Sequence, residues 1–356
     1  MTRTANTTQM NGRMMAWGAG AVVLVAGGAM AGPPSADQIS ERAKVMVHID
    51  LDALNSSAMG DMLLDQIEAD SNNFEEIQQL FPGFTLRPGG GLHGITAYAG
   101  GIDNDGPTNM VVLVRGDKHL KGWEENLAQM LSENGGESVD IDGHPTLVVP
   151  MDDETGYLTL LKNGADDFTW VFGQSVTSLT EGLGVLAGDR QAVQGDTRAR
   201  IDRKWREGTV AMFGTARLEI FDQMEEASAI LKLANQVWGS IGETDGRFFA
   251  EVIVHSEEAK KANQLVAVFN GAVGLGSILA QDNEELAAVM EMVQSVKVWA
   301  KDGNFSISFE HDAEGMIEFI QEHAEGSFSH DDGDDWDEAD DGDDDGWGHE
   351  DDDDDD

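Results

Sequence analysis

Sixteen aspartates and two glutamates crowd residues 331–356, with no lysine or arginine among them. Inside this tail Asp341, Asp343 and Asp345 stand at every second position and Gly346 follows. Asp at loop positions 1, 3 and 5, Gly at 6 and Asp352 at 12 follow the pattern that wraps calcium in carboxylate oxygens. No apolar periodic helix flanks the loop, and its last position holds Asp where the calcium loop uses a bidentate Glu. The chemistry predicted for Asp341, Asp343, Asp345 and Asp352 is therefore weak association of Ca2+ or other divalent cations, or docking to a basic protein partner. Neighbouring carboxylates repel and only Trp336, Trp347 and Ala339 offer apolar surface, so the tail is expected to stay disordered until neutralised.

Other combinations of reactive residues carry less. His48 and Asp50 lie two apart on an expected strand, which sets both on one face about 6.5 to 7 Å apart. A metal could collect them with a third ligand, but no third ligand is evident, and a solvated sheet face is the expectation. His311, His323 and His330 are spaced 12 and 7 apart, which matches no compact zinc pattern, and read as surface residues. The run Gly89-Gly90-Gly91-Leu92-His93-Gly94 spells a dinucleotide-binding glycine motif, but it follows Arg87-Pro88 and opens a strand where that motif must open a helix. It reads as a loop. Ser175 follows a strand but lacks the second glycine of a nucleophile elbow, and reads as a helix N-cap. No catalytic residue and no cofactor-binding residue is assigned.

The first 31 residues point to export. A polar start with Arg3 and Arg13, an uncharged stretch over 14–30 and the small-residue site at Ala29 and Ala31 form a signal peptide cleaved after Ala31. The uncharged run is short and diluted by glycines, which favours a cleaved leader over an uncleaved membrane anchor. The expected location is the periplasm or the extracellular space. With no cysteine, neither a disulfide framework nor a cysteine-linked lipid is available. The chain carries a net charge of −45, which becomes −47 once Arg3 and Arg13 leave with the signal; the tail holds −18 of it and residues 32–330 hold −29. Such a body repels nucleic acid and anionic membrane surfaces, both of which need clustered Lys and Arg.

These groups need elements to hold them. Over residues 45–51, Val45, Val47, Ile49 and Leu51 alternate with Met46, His48 and Asp50, the period-two pattern of a half-buried strand. A helix capped near Ser56 or Ser57 should follow, with Met59, Met62, Leu63 and Ile67 on one stripe. Strands over 95–102 and 109–115 are joined by turn residues 103–107, and the unbroken apolar run 110–114 predicts a central strand. A helix entered at Asp117 carries Leu120, Trp123, Leu127, Met130 and Leu131 at helical spacing and leaves at Gly135-Gly136. A hairpin over 138–150 turns at Asp142-Gly143, strands follow over 156–161 and 168–172, and a helix from Ser175 carries Val176, Leu179, Leu183 and Leu186 to Gly188. Residues 189–207 are polar and turn-like, and mark a boundary.

Beyond that boundary the order recurs. A strand over 209–215 precedes a helix marked by Ile220, Phe221, Met224, Leu231 and Ala234, and a strand over 248–255 runs into a helix from Ser256. Ser295-Val296-Lys297-Val298 with its turn at Asp302-Gly303 repeats Ser138-Val139-Asp140-Ile141 with its turn at Asp142-Gly143. Gly271, Gly274 and Gly276, in the apolar stretch 266–280, mark either a close helix contact or a break between helices, and packing is the expectation. The domain plan is a signal peptide (1–31), a first α+β repeat (32–190), a second (205–326) and the acidic tail (331–356). The fold class is α+β: mainly antiparallel sheets with helices packed on one side, built by internal duplication of a strand-helix-hairpin-helix-hairpin-helix unit.

Through residues 45–57, 94–116 and 138–149, the body resembles exported proteins of planctomycete-type bacteria with a duplicated α+β body. That resemblance implies the same fold and brings no assigned activity with it. The export signal, a large apolar core and the missing catalytic signature lead to a non-enzymatic binding or scaffold protein of the envelope or periplasm. The alternative is an exported hydrolase using a metal or carboxylates, motivated by the abundance of Asp, Glu and His.

Overall fold

The computed structural model describes residues 34–69, 78, 81, 85, 87, 89–103, 106–133, 136–151, 154–203, 205–215, 235–256, 259–279, 293 and 295–324. The residues of the expected signal peptide with Ala29 and Ala31, those expected to form a helix over 220–234, and the tail residues Asp341, Asp343, Asp345 and Asp352 lie outside the described residues. Contacts divide the chain into two units, Met1–Ile317 and Glu318–Asp356.

Strand β1 (Val45–Asp50) runs directly into a short helix, α1 (Leu51–Asn55), and α2 (Ala58–Ala69) follows. Next come β2 (Leu92–Ala99), the short pair β3 (Gly101–Asp103) and β4 (Gly106–Thr108), β5 (Val111–Gly116) and α3 (His119–Glu133). Strands β6 (Ser138–Ile141), β7 (His144–Met151), β8 (Glu154–Lys162) and β9 (Phe168–Gly173) lead to α4 (Val176–Ala187) and α5 (Gly195–Ile201). The remainder is β10 (Thr209–Thr215), β11 (Gln236–Thr244), β12 (Arg247–His255), α6 (Ala259–Leu279), β13 (Lys297–Lys301), β14 (Asn304–Asp312) and α7 (Ala313–Ala324).

Twelve strands form one sheet in the order β13-β14-β12-β11-β10-β1-β2-β5-β9-β8-β7-β6, and β3 pairs with β4 apart from it. Every neighbouring pair in the large sheet is antiparallel. The fold class is α+β, as expected. Outward from β1 run β2 and β5, and outward from β10 run β11 and β12; Ser138–Ile141 forms one outermost strand, and the segment matched to it, 295–298, runs into the other, β13.

Period-two alternation sorts the side chains. Val112 and Val114 of β5 join Ile95, Leu120 and Trp123 in one cluster, whereas Val111 and Leu113 join Leu179 and Leu183 of α4 in another. The helices are therefore not packed on one side, as expected, but divided between both faces of the sheet: α1, α2, α3 and α6 on one, and α4 on the other with Ile39 and with Ile201 at the end of α5, because the unbroken apolar run of β5 has two faces to cover. Residues 189–207, read as turn-like, include α5 and bury Val193, Ile201 and Trp205 in the second cluster. Each of the four side chains that α3 buries, Leu120, Trp123, Leu127 and Leu131, stabilises by about 1.5–3 kcal/mol.

Turn chemistry is met where the sequence places it. The Asp-Gly pairs 142–143, 245–246 and 302–303 all take positive φ at both residues (53° and 83°, 51° and 70°, 52° and 78°), the geometry whose twist matches two-residue hairpins. The first helix differs from expectation. Leu51 opens α1 instead of closing β1, and Asp50 caps it by accepting from Asp52 and Ala53. Ser57 then starts α2, its Oγ accepting from the Gly60 N–H at 2.9 Å, and the stripe of α2 buries Leu64 and Met62 with Leu63 and Ile67 half-buried beside them. A short polar side chain after a strand competes for the same free N–H groups wherever it stands, so Asp50 takes the role first.

Helix α6 runs unbroken through its glycines. A Cβ on Gly271 or Gly274 would meet nothing within 4 Å, so close packing does not account for these two. Among the described residues no helix is long and apolar enough to cross a membrane.

Candidate functional site

His48 stands opposite Thr96 of β2 and Met212 of β10, near the middle of the sheet. Its Nδ1 shares a hydrogen bond of 2.9 Å with Thr96 Oγ1, and its Nε2 is buried without a protein partner. The residue is 2 % exposed, which overturns the solvated face expected for it: Met46, Tyr98, Leu113 and Met212 on the same face belong to the largest core cluster. Burial, and secondarily the positive charge of Arg115, push the imidazole down to a pKa of about 4, so it is neutral at ordinary pH.

Asp50 lies two residues on, across Gly94 from Arg115 in the strand register. Its Oδ1 accepts from the N–H groups of Asp52 (3.0 Å) and Ala53 (2.9 Å). Burial raises its pKa to about 6 against the lowering pull of those bonds and of Arg115, and the Asp52 charge adds to the rise. A proton is thus kept off the histidine and drawn to the aspartate by the same low-dielectric surroundings. The pair that could have begun a metal site serves the fold: His48 satisfies Thr96 and Asp50 caps α1. Among the described residues no three His, Asp or Glu side chains converge on a cation.

The remaining sequence candidates are placed as follows. Gly89–Gly91 form the loop entering β2, where Gly91 takes φ 82° and its carbonyl accepts from Asp117; the motif opens a strand, as read. Ser175 caps α4, its Oγ accepting from the Ser178 N–H at 3.1 Å. His311 stacks on Phe309 with ring centroids 6.1 Å apart, and its Nδ1 lies 3.1 Å from the Asp312 carbonyl oxygen.

Two features escaped the sequence reading. Beside the outer strand β6, a groove of about 300 Å³ runs between α3 and the β6–β7 hairpin. Ala128, Leu131, Pro145 and Leu147 are among the residues lining it, with Glu124, Glu125 and Glu137. Burial, then the neighbouring Glu125, raises the Glu124 carboxyl above its ordinary range. The only sequence signal was the Glu124-Glu125 pair on the helix, which does not say what lies opposite.

The second is an arginine ladder. Arg198 pairs with Asp37 (2.7 Å) and Asp202 (3.1 Å), Arg203 with Glu251 (2.5 Å) and Arg206 with Glu310 (2.6 Å). Arg203 also lies 4.1 Å over the Trp205 ring and Arg206 4.3 Å over Phe249. Arg203 and Arg206 thus tie the segment after α4 to β12 and β14, and Arg198 ties it to Asp37 ahead of β1. Apart from Asp202, four residues from Arg198, the partners lie tens of residues away or more, so spacing could not reveal them.

Fold and site together define an α+β protein built on one wide antiparallel sheet whose central polar pair is structural. No family model and no curated protein matches the chain. Among solved structures it is similar to TP0453 in crystal forms I, III and IV, with TM-scores of 0.40, 0.41 and 0.42 at 10 %, 8 % and 7 % identity. Those matches cover 82 %, 82 % and 81 % of this chain and 98 %, 99 % and 97 % of theirs.

Proposed function

We propose that this is an exported, non-enzymatic binding or scaffold protein of the envelope or periplasm, whose acidic tail associates divalent cations or a basic partner. The observation that carries the reading is the use made of His48 and Asp50. The histidine-carboxylate pair set on β1 is consumed by a threonine hydroxyl and a helix N-terminus, with His48 buried beneath the largest apolar cluster. A sheet with helices on both faces and Val47, Phe213 and Ile241 left exposed at its centre offers binding surfaces on its faces, rims and edges, which suits a scaffold.

Three measurements test it. The purified mature chain should show no turnover across a broad hydrolase panel, with or without chelator; any chelator-sensitive hydrolysis would remove the reading. N-terminal sequencing of the mature protein should begin after Ala31, and an intact Met1 would replace export with anchoring. Millimolar calcium should shift Trp336 and Trp347 fluorescence more than sodium at equal ionic strength does, whereas equal responses would reduce the tail to charge screening.

A further inference from the structure

The two ends of the sheet carry opposite charge. At one end β6 is outermost, with exposed Ser138 and Asp140 alternating with half-buried Val139 and Ile141. Exposed Glu137 precedes it, exposed Asp142 begins its turn, and the glutamate-lined groove under α3 runs alongside. At the other end β13 is outermost and reads Lys297-Val298-Trp299-Ala300-Lys301, with both lysines exposed, Trp299 40 % exposed and a single exposed acid, Asp302, beginning its turn. Among the described residues neither strand is paired on its outer side.

Lysines on an edge strand ordinarily hold a second strand away. Opposite an acidic edge the same lysines attract, and a large aromatic left between them has an apolar surface to cover. Direction agrees with charge. Twelve strands alternate in direction across the sheet, so β13 and β6 run opposite ways. A second copy displaced along the sheet therefore presents its β13 to β6 in antiparallel order. In that placement Trp299 falls on the face of Val139 and Ile141.

We infer that the protein assembles head to tail, β13 of one copy adding to β6 of the next so that the antiparallel sheet continues from copy to copy. The register sets Trp299 opposite Val139, Lys301 opposite Glu137, Ala300 opposite Ser138, and Lys297 opposite Ile141 beside Asp142. The two surfaces differ, so the contact is heterologous and leaves a free edge at each end for further copies. The net negative body opposes the approach, but at physiological ionic strength its field is screened within about 8 Å, and the close edge pairs decide. The inference rests on the scaffold reading and names the chain itself as the partner.

Sedimentation of the full mature chain tests it. The mean mass should rise with concentration past the dimer. Lys297→Glu with Lys301→Glu, or Glu137→Lys with Asp140→Lys, should each leave monomer alone, and mixing the two variants should restore large species because their reversed edges are again complementary. As a second readout, the cysteine-free chain allows clean cross-linking: a mixture of Ser138→Cys and Ala300→Cys proteins should form mixed disulfide dimers, and either alone should not. A wild type that stays monomeric, assembly untouched by both edge variants, or a mixture that stays monomeric overturns the inference. A monomer that still binds a basic partner through its tail leaves the proposed function standing; hydrolase turnover by a chain that assembles removes the proposed function and leaves the edge pairing.

Discussion

Helices α3 and α6 occupy the same face of the sheet, one over each half, and they are buried very differently. α3 commits Leu120, Trp123, Leu127 and Leu131 to the core on a single stripe. α6 is longer, at 21 residues, yet buries Ala262 and Leu265 and leaves Val268 54 % and Leu275 66 % exposed. The difference lies in where the apolar residues fall. Those of α3 recur at three- and four-residue intervals with charged residues between, so one contact buries them all. Val266, Ala267, Val268, Phe269, Ala272, Val273 and Leu275 surround α6, and one sheet face cannot cover every side of a helix. Apolar content alone does not measure core.

The largest test of that contrast is Trp123→Ala, which should cost about 3–5 kcal/mol in urea unfolding. A loss under about 1 kcal/mol would mean that α3 is no more committed than α6.

The seam between the halves, where β1 meets β10, is probed by pH. His48 has its folded pKa depressed from 6.5 to about 4, so its stabilising contribution is whole above pH 6.5 and is lost as pH falls through about 4. For this buried group that loss is about 3 kcal/mol. Asp50 has its folded pKa raised from 3.8 to about 6, so its contribution has the opposite sign: present below pH 3.8 and lost as pH rises through about 6. The two oppose each other between pH 6 and 4. Asp50→Asn, which keeps the cap, should therefore expose a steeper acid-side loss than wild type in unfolding measured across this window. A parallel pH profile would show that the two sites do not titrate as described.

Smaller effects sharpen the same comparison. Gly271→Ala in α6 should stabilise by roughly 0.5–1 kcal/mol, since the methyl meets nothing and the helix interior gains a better former. The equivalent change at Gly214, where a Cβ would lie 2.3 Å from the Trp238 ring, should destabilise instead. Leu275→Ala should change unfolding by less than about 0.5 kcal/mol, as for a surface position. A larger loss would show that the exposed end of α6 is covered in solution.

Much of the local architecture was legible. The Asp142-Gly143 and Asp302-Gly303 turns, the Ser175 cap, the Gly188 C-cap and the stripe of α3 are short-range choices whose causes sit within a few residues. What escaped had distant causes. Nothing near His48 announces that Met212, more than 160 residues away, would lie across from it and that an apolar layer would close over it. Nothing near Arg203 or Arg206 announces Glu251 or Glu310.

Alternation and turn chemistry settled, from the sequence alone, that this body is built of antiparallel hairpins and helices, because backbone geometry responds to neighbours along the chain. The order of strands across the sheet, the split of helices between its faces, the structural employment of His48 and Asp50, and the opposite charge of the two outer edges were decided in three dimensions. Each depends on which segments share a surface, and burial and Coulomb interaction act through space without regard to separation along the chain.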